Sequence, residues 1–199
     1  QLLGSPFSTL ELIQFAMEGE KLASGTAHAD NVAPALYGGF TLVRSYEPLD
    51  IIKLHTPSEL YATVIHPQIE IKTADSRKIL KTNISLADGI RQWGNLGGFV
   101  AGLYTEDYDL IGRSLQDYII EPIRSILIPA FDEIKAQSMK AGALGCSISG
   151  SGPSIFAFSK GNKTADKVAE TMRTVYKNIE IDFDIHVSKV NLDGIRPIN

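Results

Sequence analysis

Between Leu60 and Val187 the apolar residues change their period in an order that few folds accept. Strand-like spacing covers residues 60–65, and helical spacing then fills most of 75–142, with a long segment near 85–104 and another at 129–141. Two strands are predicted around 144–148 and 154–158, then a helix near 165–177 and a strand near 181–187. The two signals are separable because side chains alternate across a strand but return to one face of a helix about every 3.6 residues. The order is β-α-β-β-α-β with extra helices in the first connection, the ferredoxin-like pattern.

Upstream the pattern is different. Ser8-Thr9-Leu10-Glu11 fits a capping box, with Leu10, Ile13 and Met17 following at helical spacing, so a helix is predicted over 8–23 and Gly25 ends it. A helical turn at 30–36, the Gly38-Gly39 break, and strands at 40–44 and 49–54 joined through Glu47-Pro48 complete this part. The short, polar, proline-bearing run His55-Thr56-Pro57-Ser58 is the natural boundary. We therefore expect an α+β chain of two units, 1–57 and 58–199. The chain opens on Gln1 and goes straight into a helix, which is the expectation for a fragment rather than a natural beginning.

Composition narrows the function classes. With 44% apolar and 21% charged residues the chain can pack a core. A net charge of -4 supplies no general attraction for nucleic acid or acidic lipid, so any anion must be held by locally placed donors. A single cysteine, Cys146, excludes an internal disulfide and a multi-thiolate metal site. The apolar runs are far shorter than the roughly 18–20 residues of a membrane helix, and no signal-peptide pattern opens the chain, so it reads as cytosolic.

The segment richest in chemistry is Gly142-Ala143-Leu144-Gly145-Cys146-Ser147-Ile148-Ser149-Gly150-Ser151-Gly152-Pro153-Ser154. Successive glycines let backbone N–H groups converge into a nest for an anion, and the serines add hydroxyl donors. No GK[ST] follows and the next element is a strand, so this is neither a Walker loop nor a dinucleotide fingerprint; a tight turn without ligand is the plain alternative. His28-Ala29-Asp30-Asn31 gathers an imidazole, a carboxylate and an amide at the start of a helical turn, where Asp30 or Asn31 could equally be an N-cap. Glu18 and Glu20 stand two apart on a helix and so face different ways; a surface position is the default for either.

Two arginines fall early in predicted helices, Arg77 after a capping Thr73, and Arg124 in Glu121-Pro122-Ile123-Arg124. A cation near a helix N-terminus is opposed by roughly 0.3–1 kcal/mol. A carboxylate gripped in two places would offset that, as would an intrachain pair, Arg77 with Asp75 or Arg124 with Glu121.

Taken together these segments resemble the homoserine kinases of the GHMP family (galactokinase, homoserine, mevalonate and phosphomevalonate kinases). H-A-D-N-V-A-P-A-L-Y-G-G resembles the stretch that sets homoserine kinases apart; G-C-S-I-S-G-S-G-P-S-I-F-A is similar to the family's third, C-terminal glycine-rich motif. E-P-I-R-S-I-L-I-P-A-F resembles a further homoserine-kinase stretch. The resemblance implies transfer of the ATP γ-phosphoryl group to the side-chain hydroxyl of L-homoserine, in threonine biosynthesis. It implies a remnant of a ribosomal-S5-like N-terminal domain over residues 1–57 and a ferredoxin-like GHMP C-terminal domain over 58–199. Glu20 would hold the Mg2+ bridging the ATP phosphates. His28, Asp30 and Asn31 would line the homoserine site, Arg77 and Arg124 would hold the substrate carboxylate with Thr73 beside them, and Gly150, Ser151 and Gly152 would support the substrate and phosphates. No catalytic base is identified, no nucleic-acid or membrane partner is expected, and a homodimer is left open.

The family's principal phosphate loop, P-x-x-x-G-L-G-S-S, belongs upstream of the first helix and is absent from this sequence, so little or no kinase activity is expected from the chain alone. Two rivals stand. Another GHMP small-molecule kinase would keep the third motif but has no use for two arginines suited to an amino-acid carboxylate. A non-catalytic amino-acid-binding module would bind threonine or homoserine without phosphoryl transfer.

Overall fold

Ser8 opens helix α1 (Thr9–Ser24) through both halves of a capping box: its hydroxyl accepts from the Glu11 N–H, and the Glu11 carboxylate accepts from the Ser8 N–H at 2.7 Å. Gly25, in the left-handed region at φ 81°, closes the helix by donating to the Lys21 carbonyl. The structure is a computed structural model that describes residues 4, 6–71, 76 and 78–196. Its α+β chain divides into two units, Gln1–Thr56 with Val190–Asn199, and Pro57–Lys189.

In the first unit, helix α2 (Val32–Tyr37) leads into strands β1 (Phe40–Tyr46) and β2 (Leu49–Leu54). The strands pair antiparallel from Phe40↔Leu54 to Tyr46↔Leu49, with a bulge between Val43 and Ser45 and an Arg44–Asp50 ion pair alongside. Ile13, Ala29 and Ala33 are fully buried, and Met17, Leu36, Val43 and Ile51 pack around them. Burying one side chain of the size of Ile13 contributes roughly 1.5–3 kcal/mol.

The sequence expectation ran the second unit to residue 199, whereas the contacts return the end of the chain to the first. Gly39 donates to the Asn191 carbonyl at 2.6 Å, Ile195 to that of Ala35 at 2.8 Å, and Lys53 Nζ to those of Tyr37 and Leu192 at 2.7 and 2.9 Å. The approach is close enough that a Cβ on Gly38 would lie 2.4 Å from the Gly194 nitrogen, and one on Gly194 2.5 Å from the Leu36 oxygen. Both contacts need glycine.

The second unit holds strands β3 (Leu60–Pro67), β4 (Gly145–Ile148), β5 (Ile155–Lys160) and β6 (Phe183–Lys189), in the all-antiparallel order β4-β5-β3-β6. That order is the ferredoxin-like one: the first and third strands of the unit lie in the middle. Between β3 and β4 run α3 (Leu86–Thr105), α4 (Tyr108–Ser114), the single turn α5 (Glu121–Arg124) with a 3-10 turn at Ser125–Leu127, and α6 (Phe131–Ala141); α7 (Asn162–Asn178) joins β5 to β6.

Ile65 and Ile155 are paired across β3 and β5, as are Cys146 and Ala157 across β4 and β5, so these alternate positions share one sheet face. Onto that face α6 brings Phe131 and Ile134, and α7 brings Val168, Met172, Val175 and Tyr176. Buried Thr63 donates from its hydroxyl to the Ala165 carbonyl at 3.2 Å, fixing α7 along β3. The helix starts at Asn162, earlier than the predicted 165, because Gly161 turns the backbone at φ 77° and no side-chain cap marks the spot. Among the described residues no helix is long and apolar enough to cross a membrane.

Candidate functional site

The glycine-rich stretch folds as the connection between β4 and β5. Ser149 donates to the Ser154 carbonyl at 2.8 Å and Gly152 to that of Ser149 at 3.0 Å, so the loop is closed on itself. Gly150 and Gly152 take left-handed φ values of 60° and 79°, which an L side chain resists. They differ in surroundings: a Cβ at Gly150 would meet open space, whereas at Gly152 it would lie 3.1 Å from Ile128 Cδ1. Ser154 at the end of the loop shares a 2.8 Å hydrogen bond with His66 Nδ1, tying the loop to β3. Ser151 is half-buried and its hydroxyl donates to the neighbouring Gly152 carbonyl at 3.4 Å.

Arg124 is brought to this loop. Its Nη1 donates to the Gly150 carbonyl at 3.0 Å and its Nε to the Ser76 carbonyl at 3.3 Å. Contrary to the expectation from sequence, Arg124 meets no opposing helix N-terminus, because α5 has 4 residues and Arg124 sits at the end of them. The N-terminus of α5 is instead served by an anion: Asp117 accepts from the Ile119, Ile120 and Glu121 N–H groups at 2.7, 2.9 and 3.1 Å.

The Arg124–Glu121 alternative does not form. Glu121, 9% exposed, is ion-paired with Lys135 of α6 and accepts a 2.6 Å hydrogen bond from the Ser147 hydroxyl of β4. Sequence reasoning missed this cluster. Glu121 stood out only as a neighbour of Arg124, and its partners come from two later elements at no helical or strand spacing from it. Cys146, next to Ser147, is buried, and desolvation pushes its thiol up to about 12, with the Lys135 ammonium opposing and the Glu121 carboxylate adding to the rise. A thiol so hard to ionise is packing, not a nucleophile.

In the first unit, Ala29 is fully buried and donates to the Tyr46 hydroxyl at 3.3 Å, while its carbonyl starts α2 by accepting from Ala33. This pins the histidine turn at its second residue, with His28 half-buried and Asp30 and Asn31 exposed. Asn31 occupies the N-cap position of α2, yet its side chain makes no capping hydrogen bond. The capping explanation therefore fails for Asn31. Glu20 lies half-buried on α1, and Glu18 is exposed. Thr73 and Arg77 lie outside the described residues.

Among the described residues no group of three or more His, Cys, Asp or Glu could hold a metal ion. Magnesium that is already bound to phosphates needs only one or two protein carboxylates, so a lone Glu20 fits that kind of site in donor type. A separate cavity of about 260 Å³ opens beside α5, lined by Ile84, Asp88, Tyr118, Ile119 and Ile123 among others.

Residues 99–178 match the family model described as GHMP kinases C terminal. Over the whole chain the sequence is 50% identical to a homoserine kinase of Chlorobium phaeobacteroides, and 37% identical to one of Thermococcus gammatolerans over 89% of the chain. The aligned parts make up 62% and 59% of those two proteins. Among solved structures, the crystal structure of homoserine kinase from Cytophaga hutchinsonii is similar at 57% identity and a TM-score of 0.95, covering 98% of this chain and 62% of that one. A mevalonate kinase of L. major in complex with R-mevalonate, at 18% identity and a TM-score of 0.69, shares the fold. The chain thus spans less than two thirds of the length of these homoserine kinases.

Proposed function

We infer a kinase function, because the chain belongs to the GHMP kinase family. The protein that carries it phosphorylates the side-chain hydroxyl of L-homoserine with ATP. The 50% identity to a homoserine kinase over the full chain supports this choice over other members of the family. The observation that carries it physically is Arg124, a guanidinium oriented by two backbone carbonyls at the edge of the glycine loop.

The roles follow from chemistry. An amino acid requires a cation for its carboxylate and an acceptor for its ammonium. Arg124 supplies the first, as does Arg77 by its place in the family pattern, with Thr73 beside it. Asp30 supplies the second, with His28 and Asn31 as further polar contacts. Gly150, Ser151 and Gly152 would support the substrate and phosphates, and Glu20 would hold a Mg2+ that offsets the phosphate charge. Phosphoryl transfer depends mainly on positioning and on charge stabilisation, so this set works without a dedicated base on the residues named.

A coupled assay on the complete protein, with homoserine, mevalonate and threonine as acceptors, tests the reading. ADP formation with homoserine well above the other two is expected. Preference for an alcohol that is not an amino acid overturns it, and so does binding of homoserine without turnover.

A further inference from the structure

Glu121 and Arg124 share one helical turn, and each reaches the same stretch of chain. Arg124 touches the loop at Gly150, and Glu121 accepts from Ser147 two residues before the loop starts. A hydrogen bond at 2.6 Å to a carboxylate held by Lys135 is a short, charge-assisted one. It acts where the carboxylate is almost wholly withdrawn from water, so an alternative partner from solvent is scarce.

We propose that Glu121, braced by Lys135, is a positioning residue that sets α5, and with it Arg124, in register with β4 and its glycine loop. The proposal rests on the homoserine kinase reading for its effect on substrate, but its structural half does not. Two ties between the same two segments fix both distance and rotation, where one would act as a pivot. The guanidinium is anchored at its other side by the Ser76 carbonyl, so with the Arg124–Gly150 bond alone the loop could still swing about it. With Glu121 fixed on Ser147 it cannot, and a planar fork held still is what a carboxylate needs for two parallel bonds.

The position of Ser147 makes the experiment clean. It lies half-buried on β4 opposite Phe156, and threonine fits a strand there while keeping the hydroxyl. In the complete protein, Ser147→Ala and Glu121→Gln are compared with wild type and with Ser147→Thr. Two readouts are taken: amide exchange at Ser149 and Gly152, and the KM values for homoserine and ATP.

For Ser147→Ala the loop amides should exchange about ten-fold faster while those of the β3–β5 ladder stay as they were. The homoserine KM should rise about ten-fold with kcat and the ATP KM within two-fold. Glu121→Gln should move both readouts the same way, and Ser147→Thr should restore both. Unchanged loop exchange in both Ser147→Ala and Glu121→Gln overturns the proposal. So does faster loop exchange with an unaltered homoserine KM in an active enzyme. If wild type does not phosphorylate homoserine, the functional reading fails by itself, and loop exchange alone then decides the role of Glu121.

Discussion

Arg124 donates from Nη1 to the carbonyl oxygen of Gly150 at 3.0 Å, so a side chain from the helical connection and the backbone of the glycine loop meet directly. Removing the guanidinium in Arg124→Ala should raise the homoserine KM on the order of 30-fold, the equivalent of about 2 kcal/mol of charge-assisted bonding. The ATP KM should barely change if, as proposed, Arg124 holds the amino acid and not the nucleotide. Arg124→Lys should rescue little, since an ammonium cannot span two carbonyls and a carboxylate in one plane. Steady-state kinetics with each substrate varied in turn checks all of this.

Lys135 offers a stability test. Lys135→Met leaves the Glu121 carboxylate buried without its cation, which typically costs about 3–5 kcal/mol. The double variant Glu121→Gln with Lys135→Met removes the charge as well and should recover most of the loss. Urea denaturation of the variants measures the difference, and a single Lys135→Met as stable as wild type would contradict the ion pair.

The loop glycines should respond unequally. Gly150→Ala faces only the left-handed backbone penalty of about 1–2 kcal/mol, whereas Gly152→Ala adds a methyl close to Ile128 Cδ1. Gly152→Ala should therefore be the more destabilising of the two, and trimming the neighbour with Ile128→Val should relieve part of the excess. Thermal melting of the four proteins is sufficient.

Alkaline pH should find Cys146 and Tyr176. Their folded values lie at about 12, against ordinary values of 9.0 and 10.0, in both cases raised first by burial. The unfolded chain gives up these protons earlier than the folded one. The stability linked to them is therefore complete below pH 9 and is lost as pH rises toward 12, at up to about 1.4 kcal/mol per unit for each group. Between pH 9 and 10 the slope belongs to the thiol, so Cys146→Ala should flatten it there, while Tyr176→Phe should act only above pH 10. Denaturation midpoints across this range are the measurement.

Local periodicity carried most of the fold. The Ser8–Glu11 box, the buried stripe Ala165, Val168, Met172, Val175 of α7, and the alternation along β3 are properties of neighbours in sequence, and each appears where the pattern puts it. What depended on distant partners was not legible. The return of Gly194 against Gly38, and the choice of Lys135 and Ser147 over Arg124 as partners for Glu121, are decided by packing between remote segments. For the site, the glycine loop and Arg124 were visible as residue types, but their direct contact through a backbone carbonyl leaves no trace in side-chain chemistry.

The pairing of Tyr61 with Lys189 has a practical corollary. Facing residues of antiparallel neighbours lie about 5 Å apart. The 57–189 stretch therefore enters and leaves at one spot, in the manner of a module spliced into a host. Joining residue 56 to residue 190 by a few glycines should yield a miniature of the hairpin unit, and closing the excised segment on itself should give a circle. A simple cut at residue 57 would instead strand the tail on the wrong piece.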